Sequence, residues 1–210
     1  MESWCRSDIT LQRLEGLVRC GLLCTRTTVE EWRLPGDEDA PSPPDGYIIS
    51  FTHFHERGFA TPTHKFLWGL LHYYKVELQH LNSNRIQHMV AFVALCEGFL
   101  GITPHFDLWW YFFTVSLLKK REKKQELNVP MGCVGIQLRN NRVSEYPLIC
   151  LSTSNKGWHS HWFYVKNDTA APLPAFTGCL IEEVPESWRM WGSWIKTRRK
   201  SRTISLSSKF

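Results

Sequence analysis

The stretch FHERGFATPTHKFLWGLLHYYKVELQHLN, residues 54–82, decides how this chain is read. It holds four of the nine histidines and two glutamates, Glu56 and Glu77, among clustered aromatic side chains. Such a mixture suits acid–base or metal chemistry, and it equally suits the packed centre of a domain. Spacing separates the two. Phe66, Leu67, Leu70, Leu71 and Tyr74 recur at i, i+1, i+4, i+5 and i+8, which is one face of an amphipathic helix. Arg57-Gly58 reads as a turn, and Thr61-Pro62 as an N-cap followed by Pro at the first helical position. The preceding YIISFTHF (47–54) is β-rich and reads as a short strand.

Working outward, DITLQRLEGLVRCGLL (8–23) places apolar residues at helical spacing and ends near Gly21. EEWRLPGDEDAPSPPDG (30–46) carries four prolines among many carboxylates and is expected as a loop. NSNRIQHMVAFVALCEGFLG (82–101) predicts a helix with an Asn or Ser cap, a stripe of Ile86, Met89, Val90, Val93, Cys96 and Leu100, and Gly101 as its stop. TPHFDLWWYFFTVSLLKK (103–120) predicts a buried helix, capped at Thr103-Pro104, whose lysines return the chain to solvent. From residue 130 onward GCVGIQL, YPLICLST and HSHWFYV read as short strands, FTGCLIEEV adds a further candidate, and PESWRMWGSWIK (185–196) reads as a Trp-bearing helix. The expected fold is α+β, a central helical core with short antiparallel strands in the C-terminal third.

The chain has 210 residues, a net charge of +5 and ten tryptophans, which suits a globular protein with a real core. The charge is unevenly placed: KKREKK (119–124) and KTRRKSR (196–202) hold ten basic residues, and the remainder carries 15 basic against 19 acidic residues. Any phosphate contact is therefore expected to be local, at Lys119, Lys120, Arg121, Lys123 and Lys124 or at Lys196, Arg198, Arg199, Lys200 and Arg202. The bland readings are a solvated helix end for the first run and a soluble terminus for the second. The second run is also of the type found in nuclear-import signals. Seven scattered cysteines without Cys-x-x-Cys, and a start lacking an apolar run, predict an intracellular chain with reduced thiols. Leu108–Leu118 is eleven residues long, too short for a bilayer, which needs roughly 20.

Candidate chemistry is sparse. His53-x-His55 and His159-x-His161 would each share a strand face, lining a half-buried sheet or, together, offering four nitrogens to zinc. The histidines at 64, 72, 80 and 88 lie eight apart, a period that the caps around residue 82 interrupt. Cys96 falls on an apolar stripe and reads as core. GxSxG, HExxH and the glycine-rich phosphate loops do not occur in the sequence. No catalytic residue, metal site, cofactor or small-molecule substrate is assigned, and no membrane association is expected.

Several stretches together resemble the plant domain described as "putative transposase, gypsy type". They are WRLPGDEDAPSPP (32–44), F-x-x-R-G-F (54–59), L-x-x-Y-x-V-E-L-x-x-L-N-x-N (71–84), F-x-x-x-C-E-G-F-L-G-I-x-P-H-F-D-L-W (92–109), WFYVKND (162–168) and LPAFTG (173–178). They run in consistent order over roughly residues 7 to 192. The resemblance implies an origin in a Ty3/gypsy-like retrotransposon and carries over no catalytic residues. The integrase zinc module, the aspartic-protease Asp-Thr/Ser-Gly, the polymerase Asp-Asp pair and the nucleocapsid zinc knuckle are missing from the sequence, so the remaining role is gag-like and structural, in assembly or nucleic-acid association. The organisation expected is an N-terminal helical segment (1–29), a Pro-rich acidic loop (30–46), the gypsy-type domain (47–195) and a basic polar tail (196–210). A metal-dependent enzyme of DNA transposition, with Glu56, Glu97 and Asp107 as first ligands, stays open as an alternative. So does a truncated, inactive relic, since family members continue past the Trp-rich segment.

Overall fold

The computed structural model describes residues 4–24, 31–122, 125–128, 131–151, 156–179 and 181. The order of elements is α1 (Leu11–Arg19), β1 (Trp32–Arg33), β2 (Tyr47–Phe51), α2 (Thr52–His55), α3 (Lys65–Tyr74), α4 (Ser83–Ala94), α5 (Phe106–Phe112), β3 (Phe113–Leu117), β4 (Lys119–Glu122), β5 (Gln125–Asn128), β6 (Val134–Leu138) and β7 (Trp162–Lys166). The class is α+β, and every strand pairing is antiparallel.

β7 is the middle of a three-stranded sheet in the order β1-β7-β2. Its register sets Phe51 opposite Trp162, Ser50 opposite Phe163 and Ile49 opposite Tyr164. Side chains two apart share a face. Phe51 and Trp162 therefore meet the N-terminal Trp4, with ring centroids 6.4 Å away in each case, while Ser50 and Phe163 meet His55 on the other face. Both faces are covered, which explains why Ile48–Phe51 and Trp162–Val165 are buried without alternation. Leu14 and Leu17 of α1 join the same core.

The helical layer closes on aromatic rings. Phe66 of α3 packs on Phe92 of α4 at 5.2 Å, Phe92 on Trp109 of α5 at 5.2 Å, and Trp109 stacks on Phe113 at 4.2 Å. The five stripe residues of α3 are all buried. Asn82 caps α4 by accepting from the Arg85 N–H, and Gly21 follows the C-cap of α1 at positive φ. Gly58, in the turn after α2, is required twice over: its φ is +87°, and a Cβ there would lie 2.9 Å from Val90 Cγ1.

Several local expectations give way. Thr61-Pro62 is a cis peptide in the loop before α3, and the helix starts at Lys65, where His64 Nδ1 accepts from the Phe66 N–H. His105, rather than Thr103, caps α5. The helix expected over 103–120 stops at Phe112, because Phe-Thr-Val-Ser-Leu (113–117) alternates apolar and polar residues and gains a partner strand in Val134–Leu138. KKREKK therefore begins in strand β4 and does not end a helix. After Ala94 the last turn widens over Leu95–Phe99, which breaks the 3.6-residue stripe and leaves Leu100 54% exposed. Only Tyr47–Phe51 of the expected strand 47–54 is extended. Residues 146–151 and 176–179 form no strand. The Trp-bearing segment 185–196 lies outside the described residues.

Candidate functional site

His55, the centre of the FHERGF motif, is fully buried. Its Nδ1 faces the Leu22 carbonyl at 3.2 Å and its Nε2 faces Ser50 Oγ at 2.9 Å. A ring nitrogen against a carbonyl must donate, so Nδ1 carries the proton and Nε2 accepts from the Ser50 hydroxyl. Burial pulls the imidazole down to about 4, only partly offset by its bonds to the Leu22 and Phe59 backbone. This is a neutral, saturated imidazole with no nitrogen left for substrate or metal.

The four-histidine arrangement on strand faces does not form, because His53 and His55 sit on the helical turn α2 and point apart. His53 instead stacks on His161, centroids 5.3 Å apart. His161 Nε2 lies 3.3 Å from Asp8 Oδ1, and Arg13 bonds Glu56 at 3.3 Å. Burial lowers the pKa of both stacked rings, and the carboxylates of Glu56 and Asp8 oppose that shift. The cluster pins α1 and the N-terminal segment to α2 and β7.

Each remaining carboxylate of the central segment has a local task. Glu97 accepts a hydrogen bond from His64 Nε2–H at 3.0 Å, and Asp107 stands in the first turn of α5. Glu77 is buried and accepts from the Thr177 N–H at 3.0 Å, the Thr177 hydroxyl and the Gln79 amide. His80 accepts from the Glu77 N–H at 3.1 Å and donates to the Cys179 carbonyl at 3.0 Å. Trp68 and His72 both donate to the Pro172 carbonyl. The extended segment 167–179, which includes LPAFTG, is thereby strapped across α3 and the turn after it. Sequence reading missed this node, although the pairing of Glu77 with a distant Thr-Gly has no local signal to reveal it. Among the described residues no group of three or more His, Cys, Asp or Glu could hold a metal ion.

The basic residues fall in a different place. Lys119, Lys120 and Arg121 lie on β4, which pairs with β5 in the register Lys119↔Asn128, Lys120↔Leu127, Arg121↔Glu126 and Glu122↔Gln125. β3 pairs with β6 in a second two-stranded sheet. That pair is fixed to the body. Arg85 donates to the Ile136 carbonyl at 2.8 Å, the Gly132 N–H reaches the Gln79 carbonyl at 2.8 Å, and Phe113, Val134 and Ile136 are buried. Gly135 lets the strands close, since a Cβ would meet Leu118 Cδ2 at 2.8 Å. Lys123, Lys124, Lys196, Arg198, Arg199, Lys200 and Arg202 lie outside the described residues. A second missed feature is the turn after α4, where Phe99 is 85% exposed beside Leu100 and Ile102. Gly98 and Gly101 around it were the available signal. No helix of the described residues is long and apolar enough to cross a membrane.

Residues 48–117 match the family model described as "Putative gypsy type transposon". The match covers about a third of the chain and contains FHERGF, the α3 stripe, CEGFLGI and the aromatic α5, while the Pro-rich loop, WFYVKND and LPAFTG fall outside it. No curated protein and no solved structure matches the chain.

Proposed function

We propose, from the gypsy-type transposon domain over residues 48–117, that this is a non-catalytic, gag-like protein of a retrotransposon lineage. It works inside the cell by associating with nucleic acid and with further copies of itself. The observation that supports this most is the dispersal of the carboxylates. Glu56, Glu77 and Glu97 are each committed to a separate structural bond, to Arg13, Thr177 and His64. Metal-dependent phosphoryl transfer needs such groups to converge on the ions. The concentration of positive charge in two short runs supports contact with phosphates. The exposed apolar turn at Phe99, Leu100 and Ile102 supports self-association. The seven cysteines are free, which suits a reducing compartment, and the run 196–202 suits the nucleus. We take 47–195 as the working unit, preceded by the helical segment and Pro-rich loop and followed by the basic tail.

The test is titration of the full chain against single- and double-stranded nucleic acid across a salt series, together with light scattering on a size-exclusion column. Binding that weakens linearly in log salt, and a mass above the monomer that Phe99→Ser lowers, are expected. A strict monomer at high concentration overturns the self-association, and absence of binding at low salt overturns the nucleic-acid contact.

A further inference from the structure

We propose that β3 is the joining edge of a symmetric dimer: it pairs antiparallel with β3 of a second copy across a two-fold axis, so that the two β3–β6 sheets run on as one. The inference rests on the self-association reading above and assigns to it a strand, a register and a closed stoichiometry.

The ladder leaves part of the β3 backbone pointing away from β6. The Leu118 N–H donates to the Cys133 carbonyl at 2.6 Å and the Arg139 N–H to the Phe112 carbonyl at 2.8 Å. In the register that runs from Phe113↔Leu138 to Leu117↔Val134, these two bonds make Thr114 and Ser116 the residues that exchange both bonds with β6. The backbone groups of Phe113, Val115 and Leu117 therefore face outward. The Phe113 N–H is taken by the Trp109 carbonyl at the end of α5. Among the described residues no backbone bond reaches the N–H groups of Val115 and Leu117 or the carbonyls of Phe113 and Val115. Burial points the same way. Val115 and Leu117 share a face with Ile136 and Val134, yet the β6 pair is buried and the β3 pair only partly so. Open edges are commonly guarded by lysine or proline, and Phe-Thr-Val-Ser-Leu holds no charge and no proline.

The pattern of the strand selects a second copy as the partner. Laid antiparallel with Val115 opposite the partner's Val115, all five residues of β3 are paired. The two valines exchange both their backbone bonds, and each Leu117 N–H meets the Phe113 carbonyl across the axis. On the apolar face Phe113 comes opposite the partner's Leu117, and on the other face Thr114 comes opposite the partner's Ser116. Ring then meets aliphatic side chain, hydroxyl meets hydroxyl, and no like charges oppose each other. A two-fold contact uses both edges and closes. The far side of β6 is held by the body, where the Ile136 carbonyl accepts from Arg85 and the Gly132 N–H donates to the Gln79 carbonyl, each at 2.8 Å. The joined sheet therefore ends at β6 on both sides and does not grow into a fibre. The joint is short, below the standard interface of about 1,600 Å², so the dimer forms reversibly in the micromolar range.

Sedimentation equilibrium of the full chain from about 1 to about 200 µM reads the mass, and amide hydrogen exchange followed by NMR reads the strand. Two charge variants test the register: Thr114→Lys with Ser116→Lys, and Thr114→Glu with Ser116→Glu. Each sets like charges opposite one another across the axis, on the face that Thr114 shares with the exposed Gln137, and leaves the β3–β6 backbone bonds in place. Wild type should dimerise, and the Val115 and Leu117 amides should gain protection as the concentration rises, while Thr114 and Ser116 are protected throughout. Either charge variant alone should weaken the dimer by about tenfold or more, and an equimolar mixture of the two should restore it as a one-to-one pair. Val115→Pro, which removes an outward N–H from an edge strand, should be monomeric and still melt cooperatively. Dimers that both charge variants retain in full overturn this inference and leave self-association standing, carried elsewhere; their loss in Phe99→Ser would then place it at the exposed turn. Val115 and Leu117 amides already protected in the dilute monomer also overturn it, because the chain itself then covers the edge. A mixture of the charge variants that stays monomeric overturns the register. A wild-type monomer at about 200 µM overturns both readings together.

Discussion

Acid should loosen this protein through His55, and the size of the effect can be worked from its surroundings. The imidazole is fully buried, donates to the Leu22 carbonyl and accepts from Ser50, and its pKa falls to about 4. An unfolded histidine titrates near 6.5. The folded value is depressed, so the unfolded chain binds the proton first. The stabilisation is complete above pH 6.5 and is lost as the pH falls towards 4. Over that window the loss is about 3 kcal/mol, at about 1.4 kcal/mol per pH unit. His88, drawn down to about 4 by burial and by Arg85, acts in the same direction. The His55 share is isolated by His55→Phe, which keeps the volume, leaves the Ser50 hydroxyl and Leu22 carbonyl unpartnered and costs about 2–4 kcal/mol at pH 7.5. Urea unfolding followed by tryptophan fluorescence at pH 7.5, 6.5, 5.5 and 4.5 gives both curves. The gap between wild type and variant should shrink by about 2–3 kcal/mol on going to acid. A gap that stays constant refutes the buried neutral imidazole, and a gap that widens would mean the folded ring prefers its charged form.

Two further substitutions probe the fold around the site. Glu77→Ala removes the acceptor shared by Thr177 and Gln79 and should destabilise by about 2–3 kcal/mol. It should also expose the strap 167–179 to limited proteolysis before the body is cut, which uniform protection would contradict. Gly58→Ala forces an unfavourable φ and a 2.9 Å contact with Val90, so a loss of about 2–3 kcal/mol is expected by thermal melting. Adding Val90→Ala should relieve the contact and leave the φ cost, so complete recovery would show that only the contact matters.

What could be read from residues alone follows a physical divide. α3 was legible because its five apolar positions sit on one helical face and are buried together, and Asn82 because an N-cap is a local hydrogen bond. The β3–β6 pairing was hidden by composition. LWWYFFTVSLL is apolar enough to pass for a buried helix, and the two-residue period of FTVSL matters only once Val134–Leu138 arrives to pair with it. The same change puts the start of the first basic run on strand β4 instead of at a helix end. On a strand His53 and His55 would share one face, yet the chain turns helical at Thr52 and sends one ring to the surface cluster and the other into the core. The strap had no local trace, since Glu77 and Thr177 meet across 100 residues of chain.

A plasmid assay bears most directly on whether the histidines and carboxylates of residues 54–107 form a scaffold or a reacting centre. Supercoiled DNA is incubated with the full chain and Mg²⁺ or Mn²⁺, and nicked or strand-transferred products are resolved on a gel. A scaffold leaves the plasmid as intact as metal and buffer alone. Metal-dependent nicking that Asp107→Ala abolishes, while the variant melts like wild type, would contradict it.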